Sequence, residues 1–150
     1  MASIGKWSLS GVGLTTVLST GLNSLGNNTM SSASSTYDNS INLDLYVDIE
    51  VVLASLSPTT GANVAIYIWE SVDGTNFPAQ SDADLRLTTT QLLVTIPVGT
   101  TAATAQRVVA RNVLLPPAKV QFKLDNQTGV SLAASGNTVK ILPYDYNLNG

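Results

Sequence analysis

The sequence predicts an all-β protein, a two-sheet β-sandwich, on three observations. Apolar and polar residues alternate in run after run, clusters of Gly, Pro, Asn and Asp separate those runs, and no segment carries a helical period. The 150 residues fit one domain. A chain of this size can bury roughly 70% of the surface its unfolded form exposes, so its core needs no covalent staple. The absence of cysteine agrees with that.

The N-terminal stretch "MASIGKWSLSGVGL" has Lys6 as its one basic residue and no sustained apolar core, so a signal peptide is poorly supported. Trp7, Leu9, Val12, Leu14 and Val17 can supply a short strand or an anchor. Trp7 is costly to leave in water unless its own domain or a partner covers it. From Leu18 to Ser40 the chain is rich in Ser, Thr, Asn and Gly and reads as loop, or as an arm lying on something. The organisation expected is an N-terminal arm over 1–40 and a sandwich over 41–150.

"INLDLYVDIEVVLASL", residues 41–56, is the clearest strand. Ile41, Leu43, Leu45, Val47, Ile49, Val51 and Leu53 form a core-facing row; Asn42, Asp44, Tyr46, Asp48 and Glu50 form the outer one. "SPTTGAN" then reverses the chain, and "VAIYIWESV" alternates with both faces largely apolar, as in an interior strand or one that meets another chain. Asp73-Gly74 is a turn dipeptide. Further strands are expected in 91–98, 106–115 and 119–124, in "VSLAA" after Gly129, and in "NTVKILPY", with turns at 125–129 and 134–137. Pro97 marks an edge strand or a bulge, and Pro116-Pro117 ends the strand before it, because proline has no amide hydrogen for a ladder. About eight strands at this spacing favour a jelly roll; an immunoglobulin-like Greek key stays open.

Composition excludes more than it asserts. The chain has neither His nor Cys, which removes thiolate and imidazole metal sites, Ser-His-Asp hydrolysis and imidazole acid–base catalysis. Carboxylate pairs and Ser-Lys arrangements survive but have no signature here, so the expectation is a protein that is no enzyme and holds no cofactor. The net charge is -3 and the seven basic residues are dispersed, so no direct nucleic-acid partner is expected. No apolar run is long enough to span a bilayer, and no membrane partner is expected either.

Three clusters merit weighing. Asp73, Asp82 and Asp84, with Glu70 near, could gather oxygens for calcium, but the spacing matches no EF-hand and solvated turns are the simpler reading. Asp44, Asp48 and Glu50 could be catalytic, a calcium face or an interaction surface. A solvated outer face carries more weight, with Tyr46 as a possible interface anchor and Arg107 and Arg111 as counter-charges. Tyr67 and Trp69 suit a sugar platform, a core or a subunit interface.

The run "LASLSPTTGANVAIYIWESVDGTNFP" and the later "RNVLLPPAKVQFKLDNQTGVSLAASGNTVKILPY" resemble capsid decoration, or cement, proteins of tailed bacteriophages. The resemblance spans about residues 40–144 and rests on turn and strand-end motifs: 71–76, Leu115-Pro116-Pro117, 126–129 and 134–137. It implies a jelly-roll subunit, a homotrimer, on the outer surface of a virion made in the host cytoplasm, with the major capsid protein as partner. Capsid contact would then fall to Trp7, Leu9 and Leu14 with the arm, and subunit packing to Tyr46, Tyr67, Trp69, Arg107 and Arg111. Deleting 1–36 is expected to leave a folded sandwich that no longer binds capsids. The alternative function is a carbohydrate- or host-receptor-binding module on the virion surface.

Overall fold

A computed structural model describes residues 6–9, 13–78 and 91–147. Among the described residues ten strands build two five-stranded sheets. The first contains β1 (Lys6–Leu9), β2 (Thr15–Leu18), β5 (Tyr46–Leu56), β8 (Thr104–Leu114) and β10 (Thr138–Asn147), in the order β1-β10-β5-β8 with β2 also paired to β10. The second contains β3 (Thr29–Met30), β4 (Tyr37–Asp38), β6 (Asn63–Ser71), β7 (Gln91–Pro97) and β9 (Lys119–Gln127), in the order β3-β9-β6-β7 with β4 also paired to β9. Every pairing is antiparallel.

Leave β1 aside and count β3 with β4 as one position. The first sheet then runs first, eighth, third, sixth along the chain, and the second runs second, seventh, fourth, fifth. This is the strand order of a jelly roll, two Greek keys wound together. It takes the place of the immunoglobulin-like alternative.

Side-chain alternation decides what lies between the sheets. Val47, Ile49, Val51 and Leu53 of β5 and Val139 and Ile141 of β10 are fully buried, facing Val64, Ile66 and Ile68 of β6 and Val120, Phe122 and Leu124 of β9. Among the described residues β7 is an edge strand, and it ends at Pro97; β8 stops two residues before Pro116. Both prolines stand where a missing amide hydrogen costs no ladder bond.

Two local expectations fail for identifiable reasons. The strand expected from Ile41 begins at Tyr46, and Ile41, Leu43 and Leu45 are exposed while Asp44 is buried. A one-turn helix, α1 (Asn39–Asn42), intervenes: the Asp38 carboxylate accepts from Ser40 N at 3.1 Å, and Leu43 closes the turn in the left-handed region at φ 56°. Asn39 then clasps the chain, donating to Asp44 O and Pro116 O and accepting from Asp44 N. The expected strand at "VSLAA" is irregular backbone, because its groups bond to the segment before β3 instead: Leu132 N donates to Leu25 O, and Ala133 O accepts from Ser24 N.

The polar stretch expected to form a separate arm is built into both sheets. β2 pairs with β10 while β3 and β4 pair with β9, and Leu18, Leu22 and Met30 are buried. Between β3 and β4 the Ser31 and Ser34 hydroxyls accept from Leu124 N and Phe122 N, so side-chain oxygens complete the β9 ladder where backbone carbonyls do not. Among the described residues no helix is long and apolar enough to cross a membrane.

Candidate interaction surface

The outer face of the first sheet collects aromatic and aliphatic side chains at one end. Register sets Tyr46 of β5 opposite Tyr144 of β10 and Leu114 of β8, while Leu9 and Trp7 of β1 stand opposite Tyr144 and Tyr146. Directly opposed residues of an antiparallel pair share a face, so these side chains lie together. Trp7 meets Tyr46, Tyr144 and Tyr146 edge-on at centroid distances of 5.9, 5.4 and 5.1 Å, and Tyr46 stacks on Tyr144 at 5.9 Å. Such arrangements suit the ring quadrupoles.

Trp7 covers Tyr144, which is buried, yet 62% of Trp7 stays exposed, with Leu9 at 67% and Leu114 at 62%. An apolar cluster of this kind on a sheet face is a candidate contact site.

Polar groups beneath fix the platform. The register of β5 with β8 shifts between Val47 and Ile49, and Asn112 takes φ 56° there. Asp48 Oδ1 accepts from Asn112 N at 3.0 Å, stabilising that irregularity. The Tyr144 hydroxyl donates into the same pair, 2.9 Å from Asp48 Oδ1 and 2.5 Å from Asn112 Oδ1. Glu50, two residues on, lies 3.4 Å from Arg107 Nε and 3.9 Å from Lys140 Nζ. The outer-row acids thus order their own sheet. Asp44, placed with them by the alternation, instead accepts from the Tyr37 hydroxyl at 3.4 Å.

Burial raises the Tyr144 phenol above its ordinary value, helped by the hydrogen bond to Asp48 and by its charge. A raised folded-state value means the neutral phenol is the form the fold prefers. Its contribution is complete below the ordinary phenol range and is lost as pH rises through the elevated folded value. Thermal unfolding of wild type and Tyr144→Phe from neutral into strongly alkaline pH should therefore converge as pH climbs. Curves that stay parallel throughout would remove this role from Tyr144.

The other expected site residues lie elsewhere. Leu14 is exposed just before β2. Tyr67 and Trp69 share β6 in the second sheet, opposite Lys123 and Gln121, and Lys123 Nζ sits 4.3 Å above the Trp69 ring. Arg107 and Arg111 lie on β8, Arg107 paired to Glu50. The face therefore joins Trp7, Leu9 and Tyr46, and adds Leu114, Tyr144 and Tyr146, which sequence reasoning passed over. The two-residue spacing of the tyrosines in "PYDYN" was the signal.

Of the acids considered for calcium, Asp82 and Asp84 lie outside the described residues. Asp73 serves a turn: it accepts from Thr75 N, Asn76 N, Asn76 Nδ2 and Ser71 Oγ, and the Asn76 bonds above all hold its carboxyl well below the usual carboxylate range. Among the described residues no three His, Cys, Asp or Glu side chains gather as metal ligands. Comparison with protein-family models, with curated proteins and with solved structures finds no match.

Proposed function

We propose that this chain is a capsid decoration protein of the tailed-phage kind, which docks on the major capsid protein at the outer surface of the head and stabilises the expanded lattice. The observation that carries the reading is the Trp7 face, an aromatic cluster led by the exposed Trp7 on a sheet whose nearby acids are engaged in holding that sheet. The sequence resemblance supplies the phage context. A protein that binds only the expanded lattice stabilises it by mass action. Assembly as a homotrimer belongs to the same proposal, since a trimer engages several capsid subunits together and multiplies weak contacts. No nucleic acid, membrane or cofactor takes part.

The test is co-sedimentation with purified expanded phage heads. Wild type should bind and protect the heads from heat or chelator, and Trp7→Ala should lose about 2 kcal/mol of affinity, as truncated aromatic anchors do. The variant should still unfold cooperatively, because Trp7 lies on the outer face of the sheet and most of it already faces water. Equal binding by the variant would sink the assignment of this face. Trp7-dependent binding on a glycan array, without binding to heads, would favour the carbohydrate- or receptor-binding alternative.

A further inference from the structure

We propose that the outer edge of β8 is a strand-addition site for an extended acidic segment of another protein, one that carries acid, apolar and acid residues at alternate positions. β8 ends its sheet, runs for 11 residues, and among the described residues pairs only with β5. A long edge strand is a template for another chain unless something blunts it. The other sheet's edge, β7, ends in Pro97, whereas β8 holds no proline, most of its residues are exposed, and its pairing with β5 is regular over 106–110, with Arg111 at the start of the irregularity that Asn112 marks.

The side chains along β8 say what would pair there. Arg107, Val109 and Arg111 follow at two-residue spacing and are exposed. No acid occurs in the sequence between Asp84 and Asp125. Arg107 has Glu50 on one side, while Arg111 has no ion pair among the described residues.

A second copy of β8 is a poor occupant. Antiparallel pairing centred on Val109 sets Arg107 opposite Arg111 of the other copy, and parallel pairing in register sets each arginine beside itself. Like charges directly opposed destabilise a strand pair. The suitable occupant repeats what β5 already does on the inner side, where Glu50 stands opposite Val109 with its carboxylate against Arg107. Main-chain bonds would supply affinity and the alternate acids specificity, as in strand addition generally.

The test uses the full chain and two labelled peptides, Thr-Glu-Thr-Val-Thr-Glu-Thr and the same peptide with Lys for Glu. Fluorescence anisotropy at low salt should show the acidic peptide binding about tenfold tighter or better, and weakening as salt rises. Amide hydrogen exchange should slow over 104–114 when it binds. Arg111→Glu should abolish the preference without shifting the melting temperature. Equal binding of both peptides, binding of neither, protection outside β8, or a wild-type dimer joined through β8 would each overturn the proposal. No capsid enters the measurement, so its failure leaves the docking reading standing, and failure of docking leaves this one.

Discussion

A chain lacking residues 1–36 should show no cooperative thermal transition, whereas one lacking only 1–9 should melt as a folded sandwich. The longer deletion removes β2 and β3, the partners of β10 and β9, and takes Leu18, Leu22 and Met30 out of the core. Burying side chains of this kind contributes roughly 1.5–3 kcal/mol each. It also strips Leu124 N and Phe122 N, both buried, of the Ser31 and Ser34 hydroxyls that accept from them. Each buried donor left unpaired costs about 1–3 kcal/mol. Together these losses are comparable to the roughly 5–15 kcal/mol that holds a typical domain folded. By contrast β1 pairs with β10 over four positions only and its Trp7 and Leu9 are exposed. Circular dichroism melts of the two truncations decide the matter. A sharp transition for the longer deletion near that of the full chain would show that 13–36 is dispensable.

That expectation reverses the one drawn from sequence, and the reason is physical. Hydrophobic periodicity finds strands that bury side chains, and it found β5, β6, β9 and β10 because Val47, Ile49, Ile66, Phe122 and Ile141 must lie inward. It is blind to a segment whose polar side chains bond to a neighbour's backbone. In "TMSSASSTYDN" the hydroxyls that look like loop chemistry are ladder acceptors for β9. The same blindness ran the row of odd-numbered residues back to Ile41, where the Asp38 cap and the Asn39 clasp hold the chain out of the strand. The interaction face was half legible. Tyr46 and Trp7 could be noticed singly, but their meeting depends on which strands flank β10, and that order is a property of the whole topology.

Asn126→Ala should destabilise the protein by about 3–5 kcal/mol, the largest loss expected from a single substitution here. Asn126 is fully buried at the end of β9, and its amide nitrogen donates to Leu25 O, Gly26 O and Val130 O at 3.0, 3.1 and 2.8 Å. Its Oδ1 accepts from Thr128 N at 3.1 Å and Thr128 Oγ1 at 2.7 Å. One side chain therefore ties the segment before β3 to the turn after β9, and alanine leaves three carbonyls and an amide without that partner. Asn126→Asp separates bonding from shape. It keeps the volume and the acceptor toward Thr128, but an ionised carboxylate would face three carbonyl oxygens. Burial and those oxygens must raise its folded-state pKa above the unfolded value. The variant should thus be most stable at acid pH, where the neutral carboxyl can still donate one bond, and should weaken as pH rises through the folded value. Urea unfolding of wild type and both variants from acid to neutral pH measures each quantity. A loss below about 1 kcal/mol for Asn126→Ala, the scale of an ordinary hydrogen bond, would mean that water or a shifted backbone replaces the amide. An Asn126→Asp loss that does not grow with pH would mean that the carboxyl never meets those carbonyls.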